Sequence, residues 1–225
     1  KNTVRSPIAV FPVTADAPAE VEGTGVDGST TVDITPGVDG ALALGVSGLT
    51  PFTLLEDPDG RVVGHSGDEA SGDANKDVSW IVDVPEGTTL SRFDLDSSDD
   101  TGSDLDLTVY RVVSPDDLRY YERWQSATGS ADERVTLPAP TAGTYLVVAN
   151  VYSTSAPMTW DMTYANVQPE GEGAFTATPN PIEAVRGQAT SYELSWTGLT
   201  AGTRYLGLVQ YGESAVRTIV TVDAQ

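Results

Sequence analysis

Cysteine is absent from the 225 residues, so neither a disulfide nor a thiolate takes part in the folding or chemistry of this chain. Histidine occurs once, at His65, and any Ser-His-Asp triad or His-ligated metal would have to use that ring. It stands in "VVGHSGDE", between a strand end and a polar loop, where a solvated turn histidine is expected. A Gly-x-Ser-x-Gly elbow, a phosphate loop and a His-rich zinc motif are all missing. No apolar run approaches the ~20 residues that a membrane span needs, and "KNTVRSPIAV" is not a signal peptide. Basic residues are few. The 12 Lys and Arg stand against 33 Asp and Glu, and the net charge of −21 argues against nucleic acid or an anionic membrane as partner. The chain opens directly in strand-like sequence, as expected of a piece of something longer.

What the sequence does hold is short strands and many turns. Period-two alternation recurs in "TTVDI" (30–34), "ALALGV" (41–46), "VSWIVDV" (78–84), "SRFDLD" (91–96), "DLDLTVY" (104–110), "ERVTL" (133–137) and "TYLVVANVY" (144–152). It continues in "MTWDMTY" (158–164), "TSYELSW" (190–196), "RYLGLVQY" (204–211) and "VRTIVTV" (216–222), with Gly/Pro/Asp turns between. Strands at this spacing predict an all-β fold of two β-sandwiches, jelly-roll or immunoglobulin-like, with Trp80, Trp160 and Trp196 in the cores. "SPDDLRYYERW" (114–124) has two readings. Ser114, Pro115, Asp116 and Asp117 suit a helix start, and the same residues read equally as a strand with an aromatic face. "GHSGDEASGDANKD" (64–77) reads as a polar loop and "NVQPEGEG" (166–173) as a linker, dividing the chain into a large unit over 17–165 and a small one over 166–225. About sixty residues make a marginal sandwich, so the small unit should pack on the large one or borrow strands from 17–55. Two packed sandwiches in chain order are the favoured arrangement.

"SDDTGSDLDLTVY" (98–110) raises the question of chemistry, because Asp100-Thr101-Gly102-Ser103 matches the nucleophile loop of aspartic proteases. That loop must follow apolar strand residues and meet a second copy so that two carboxylates share a proton. Here Ser97-Ser98-Asp99 precedes it and no second copy exists, so a polar turn is expected instead. Calcium is the other candidate. If 97–103 closed a hairpin, Asp94 would face Asp106 and Asp96 would face Asp104, and four clustered carboxylates would need a counter-charge. Calcium could supply it with six to eight oxygen ligands, and so could Arg92, Arg111 or Arg134. Strands in opposite sheets would separate the pairs. Tyr120, Tyr121 and Trp124 form a third candidate, a sugar- or peptide-binding platform, against rim packing as the plainer account.

"DVSWIVDVPEGTTLSRFDLDSSDDTGSDLDLTVYR", followed by "SADERVTLPAPTAGTYLVVANVY", resembles the bacterial pre-peptidase C-terminal domain over residues 76–165. The family's strand ending in Val-Pro-x-Gly-Thr is matched at Val84–Thr88, its Asp-Leu-Asp-Leu-x-Val-Tyr at Asp104–Tyr110, and its Ala-Gly-Thr-Tyr at Ala142–Tyr145. The flanks are similar to the tails of secreted bacterial subtilisin-like serine proteases, with 1–16 resembling the last strand of a preceding fibronectin-III-like domain. The His-Gly-Thr and Gly-Thr-Ser-Met motifs of the protease domain itself do not occur. The resemblance implies a non-catalytic, extracellular accessory module that aids secretion, stability or engagement of a protein substrate. It implies a monomer whose partner is the catalytic domain of the parent protease. The alternative is a carbohydrate-binding or surface-adhesion module that uses the aromatic group or the acidic strands.

Overall fold

The computed structural model describes residues 14–55, 64–66, 76–96, 102–153 and 159–225. These hold nineteen strands and no helix. The first five are β1 (Ala15–Asp16), β2 (Glu20–Thr24), β3 (Gly28–Pro36), β4 (Gly40–Leu42) and β5 (Leu44–Pro51). Nine follow in the middle of the chain: β6 (Thr53–Leu54), β7 (Gly64–Ser66), β8 (Lys76–Val84), β9 (Leu90–Asp96), β10 (Asp104–Ser114), β11 (Asp117–Ser126), β12 (Glu133–Pro138), β13 (Gly143–Ser153) and β14 (Thr159–Val167). The last five are β15 (Ala174–Thr178), β16 (Ile182–Ala184), β17 (Thr190–Thr197), β18 (Thr203–Tyr211) and β19 (Arg217–Ala224).

The strands form two sandwiches, one nested in the other. The inner sandwich faces the sheet β11-β10-β13-β8 against β12-β9-β14-β6, with β7 also on β14. Its core takes alternate residues from both, including Leu105, Leu107 and Val109 of β10 and Tyr145, Val147 and Ala149 of β13. Trp80 and Trp160 meet edge to face within it at 6.2 Å. The outer sandwich faces β1-β3-β17-β15 against β2-β19-β18-β5, with β4 and β16 paired alongside. Trp196 fills its centre and donates its indole N–H to the Gly25 carbonyl at 3.0 Å. Gly23 and Gly28 allow this, since a Cβ at either would fall 2.3 or 2.7 Å from the Trp196 ring.

The favoured chain-order arrangement is therefore corrected. Residues 28–36 pair with 190–197, and 44–51 pair with 205–211, so the strands before and after the middle segment make one fold and that segment is an insertion. The reason is size: the five strands after residue 174 bury too little apolar surface alone, and β1–β5 supply the rest. β1 pairs Ala15 and Asp16 with Pro36 and Thr35 of this fold, while residues 1–13, the rest of the 1–16 segment expected to end a preceding domain, lie outside the described residues. Of the two readings of 114–124, the strand is the one observed: Asp117–Ser126 pairs along β10, with two bulges.

Two strands lack the alternation of a half-exposed sheet. Leu90–Leu95 of β9 are all buried, and so are Tyr205–Val209 of β18. Each has one face in its own core and the other against the opposite sandwich. Leu90, Ala165 and Val167 meet Leu206 and Leu208 in an apolar seam flanked by Phe52 and Ile219. The return segment is stitched to β5: the Gly48 N–H donates to the Gln168 carbonyl, and the Glu172 N–H donates to the Leu49 carbonyl.

Candidate functional site

Charged groups are placed at two sites, and the first is the seam between the sandwiches. Arg92 of β9 points out of the inner core and is only 2 % exposed. Its Nη1 and Nη2 donate to Glu20 Oε1 and Oε2 of β2 at 2.6 and 3.0 Å, and its Nε donates to Thr136. Burial pushes the Glu20 carboxyl up, but the Arg92 hydrogen bonds and charge, with Thr221 and Arg134, outweigh this and hold it below its ordinary range. Asp94, on the same face, accepts from Arg134 Nε and Nη2 at 2.6 and 3.0 Å, and also from Arg204 of β18. The Arg204 guanidinium lies 4.1 Å over the Phe52 ring. A cavity of about 280 Å³ opens beside these groups, with Asp96 and Asp132 at its rim. There burial first, and then the charge of Asp132, raise the Asp96 carboxyl above its usual range.

The four-carboxylate calcium arrangement is not formed. β9 pairs with β12 and β14, while β10 pairs with β11 and β13, so Asp94 and Asp96 lie in one sheet and Asp104 and Asp106 in the other. Facing sheets sit about 10 Å apart, too far for one ion to reach both pairs at about 2.5 Å. The counter-charge for Asp94 is arginine instead. Asp106 is opposite Asn150, and burial, followed by the charges of Asp104 and Glu133, raises its carboxyl. Among the described residues no group of three or more His, Cys, Asp or Glu is arranged to hold a metal. Asp100 and Thr101 lie outside the described residues; His65 lies in β7, with its backbone opposite Trp160.

The second site is the outer face of the sheet β11-β10-β13-β8. The three aromatic residues read from the sequence do not make one platform there. Trp124 turns inward opposite Val109 and stacks on Tyr145 at 6.0 Å. Tyr121, at the bulge between Arg111 and Val112, is exposed and carries the Arg111 guanidinium 4.7 Å from its ring. Tyr120 alone joins the outer face, where its ring meets that of Tyr110 at 5.1 Å with a 55° tilt. Tyr110, Leu146 and Ile81 stand in direct cross-strand register on that face, and Arg123 lies over the Tyr110 ring. Sequence reasoning missed Tyr110, Leu146, Ile81 and Arg123. The signal was present in the alternation of "DLDLTVY", whose Leu105, Leu107 and Val109 fill the core and so turn Tyr110 outward.

No protein-family model matches the chain, and no curated protein matches it. Among solved structures the chain is similar to the M60 catalytic domain with the CBM51-1 and CBM51-2 domains of Clostridium perfringens ZmpB, at 8 % identity and a TM-score of 0.27. The match covers 94 % of this chain and 28 % of that one, so this chain spans less than a third of its length.

Proposed function

We propose that the chain is a non-catalytic accessory module of a secreted subtilisin-like serine protease, and that it presents a rigid sheet face to protein. The observation that carries this reading is the convergence of three motifs far apart in sequence. Val84–Thr88 ends β8 and begins its turn, Asp104–Tyr110 is most of β10, and Ala142–Tyr145 leads into β13. These strands are consecutive neighbours in one sheet, in the order β10-β13-β8. The clamped seam supports a scaffold role, because a module joined through Arg92–Glu20 and Asp94–Arg204 moves as one body with its neighbour. Tyr120 beside Tyr110 favours the second reading, a glycan-binding face, because exposed rings offer apolar surfaces on which sugars stack.

The test has two arms. The gene upstream of Lys1 is read for a Ser-His-Asp protease domain, and the pure chain is assayed against casein from about pH 3 to 9. The reading expects an upstream protease domain and no turnover. Turnover abolished by His65→Ala would contradict it, as would an upstream region with no peptidase. Retention on insoluble polysaccharide, lost in Tyr120→Ala, would favour the glycan reading.

A further inference from the structure

The inner sandwich has two outer faces, and the structure occupies one of them. The β9/β14 face is covered by β18 and β19 of the outer sandwich. The opposite face carries Ile81, Leu146 and Tyr110 in register across β8, β13 and β10, and Tyr120 of β11 continues the ridge. Ile81 and Tyr120 are 41 % and 60 % exposed, so the ridge is open to solvent. Its two ends differ in charge. At the β11 end, Arg123 donates to Gln125, lies 5.9 Å over the Tyr110 ring and meets no carboxylate among the described residues. At the β8 end, Asp83 accepts from Thr144 and is in no described ion pair.

We propose that this face binds the same face of a second copy of the chain, in place of the monomer that the family resemblance implies. A two-fold contact needs a patch complementary to itself, and a ridge that is apolar in the middle, cationic at one end and anionic at the other meets that requirement. A two-fold axis parallel to the strands, passing between β10 and β13, lays β11 of one copy over β8 of the other. Arg123 then comes within side-chain reach of the second copy's Asp83, and Tyr110 packs over the second copy's Leu146. Four strands about 4.8 Å apart and seven residues rising about 3.3 Å each give a footprint of roughly 450 Å². That is below the roughly 800 Å² per partner of a standard stable complex, so the dimer is weak and reversible. Each copy carries −21, which opposes association at low ionic strength and less so as salt screens it.

Sedimentation velocity on the whole chain, from about 1 to 300 µM at about 0.15 and 1 M NaCl, tests this. The expected result is a concentration-dependent shift from one chain to two, stronger at the higher salt. Arg123→Asp and Asp83→Arg should each weaken the dimer about tenfold, and the two together should restore it. Both positions are at the surface, so an unchanged melting temperature separates lost association from lost folding. A monomer throughout both salt series would overturn the proposal. So would a dimer indifferent to Arg123→Asp, or one that the double exchange does not restore.

Discussion

Glu20→Ala should uncouple the two sandwiches, and its cost follows from the geometry. The substitution leaves the Arg92 guanidinium, 2 % exposed, with the Thr136 and Thr221 hydroxyls as its side-chain acceptors among the described residues. Removing one partner of a fully buried ion pair costs about 3–5 kcal/mol. The Glu20 side chain is 30 % exposed, so water reaches the vacated side and the expected loss falls to about 2–3 kcal/mol. In a chain of this size that lowers the melting temperature by roughly 5–10 °C. Glu20→Gln keeps one acceptor and should lose about half as much. Replacing Arg92 and Glu20 together by Met removes both charges and should recover most of the loss. The pH dependence has a definite sign. The Glu20 carboxyl titrates below its ordinary 4.5 in the folded chain, so its contribution is complete above that pH and is lost as pH falls through the lowered value. The gap between wild type and Glu20→Ala should therefore close on acidification. Urea unfolding followed by tryptophan fluorescence at about pH 7 and pH 3 measures both quantities. A loss under about 0.5 kcal/mol at neutral pH, or a gap that widens in acid, would refute the clamp.

Gly171→Ala should cost about 2–3 kcal/mol, because its Cβ would lie 2.4 Å from the Gly48–Leu49 backbone, while Gly129→Ala, with nothing within 4 Å, should be nearly neutral in the same urea titration. Millimolar calcium should leave the melting temperature where an equal ionic strength of sodium chloride leaves it; a rise specific to calcium and removed by Asp104→Asn would restore the metal reading. Asp96→Asn should stabilise slightly, by no more than about 0.5 kcal/mol, with the gain confined to pH values where Asp96 is ionised, since burial and Asp132 oppose that charge.

The strands were legible wherever one face is wet. "TYLVVANVY" and "VRTIVTV" alternate cleanly, and β13 and β19 follow them. β9 shows where the pattern stops informing. The alternation that puts Phe93 and Leu95 in the core leaves Arg92 and Asp94 on the other face without saying what meets it, and that face is covered by β2 and β18. Nothing local in "SRFDLD" announces a second sandwich 70 residues upstream and 110 downstream. Nesting is hidden for the same reason: β3 and β17 pair across more than 150 residues, and period two states only that each strand has a buried face. The aromatic group was visible as composition, but the bulge at Arg111/Val112 divides it, and a bulge has no periodic signature.

The nested topology is tested most directly by expressing residues 166–225 alone and following thermal unfolding by circular dichroism. The fold predicts no cooperative transition, because β17 and β18 lose β3 and β5 and the Trp196 pocket loses Gly23 and Gly28. It also predicts that adding the 14–55 segment to the fragment restores strand signal. A sharp transition in the isolated piece would contradict it.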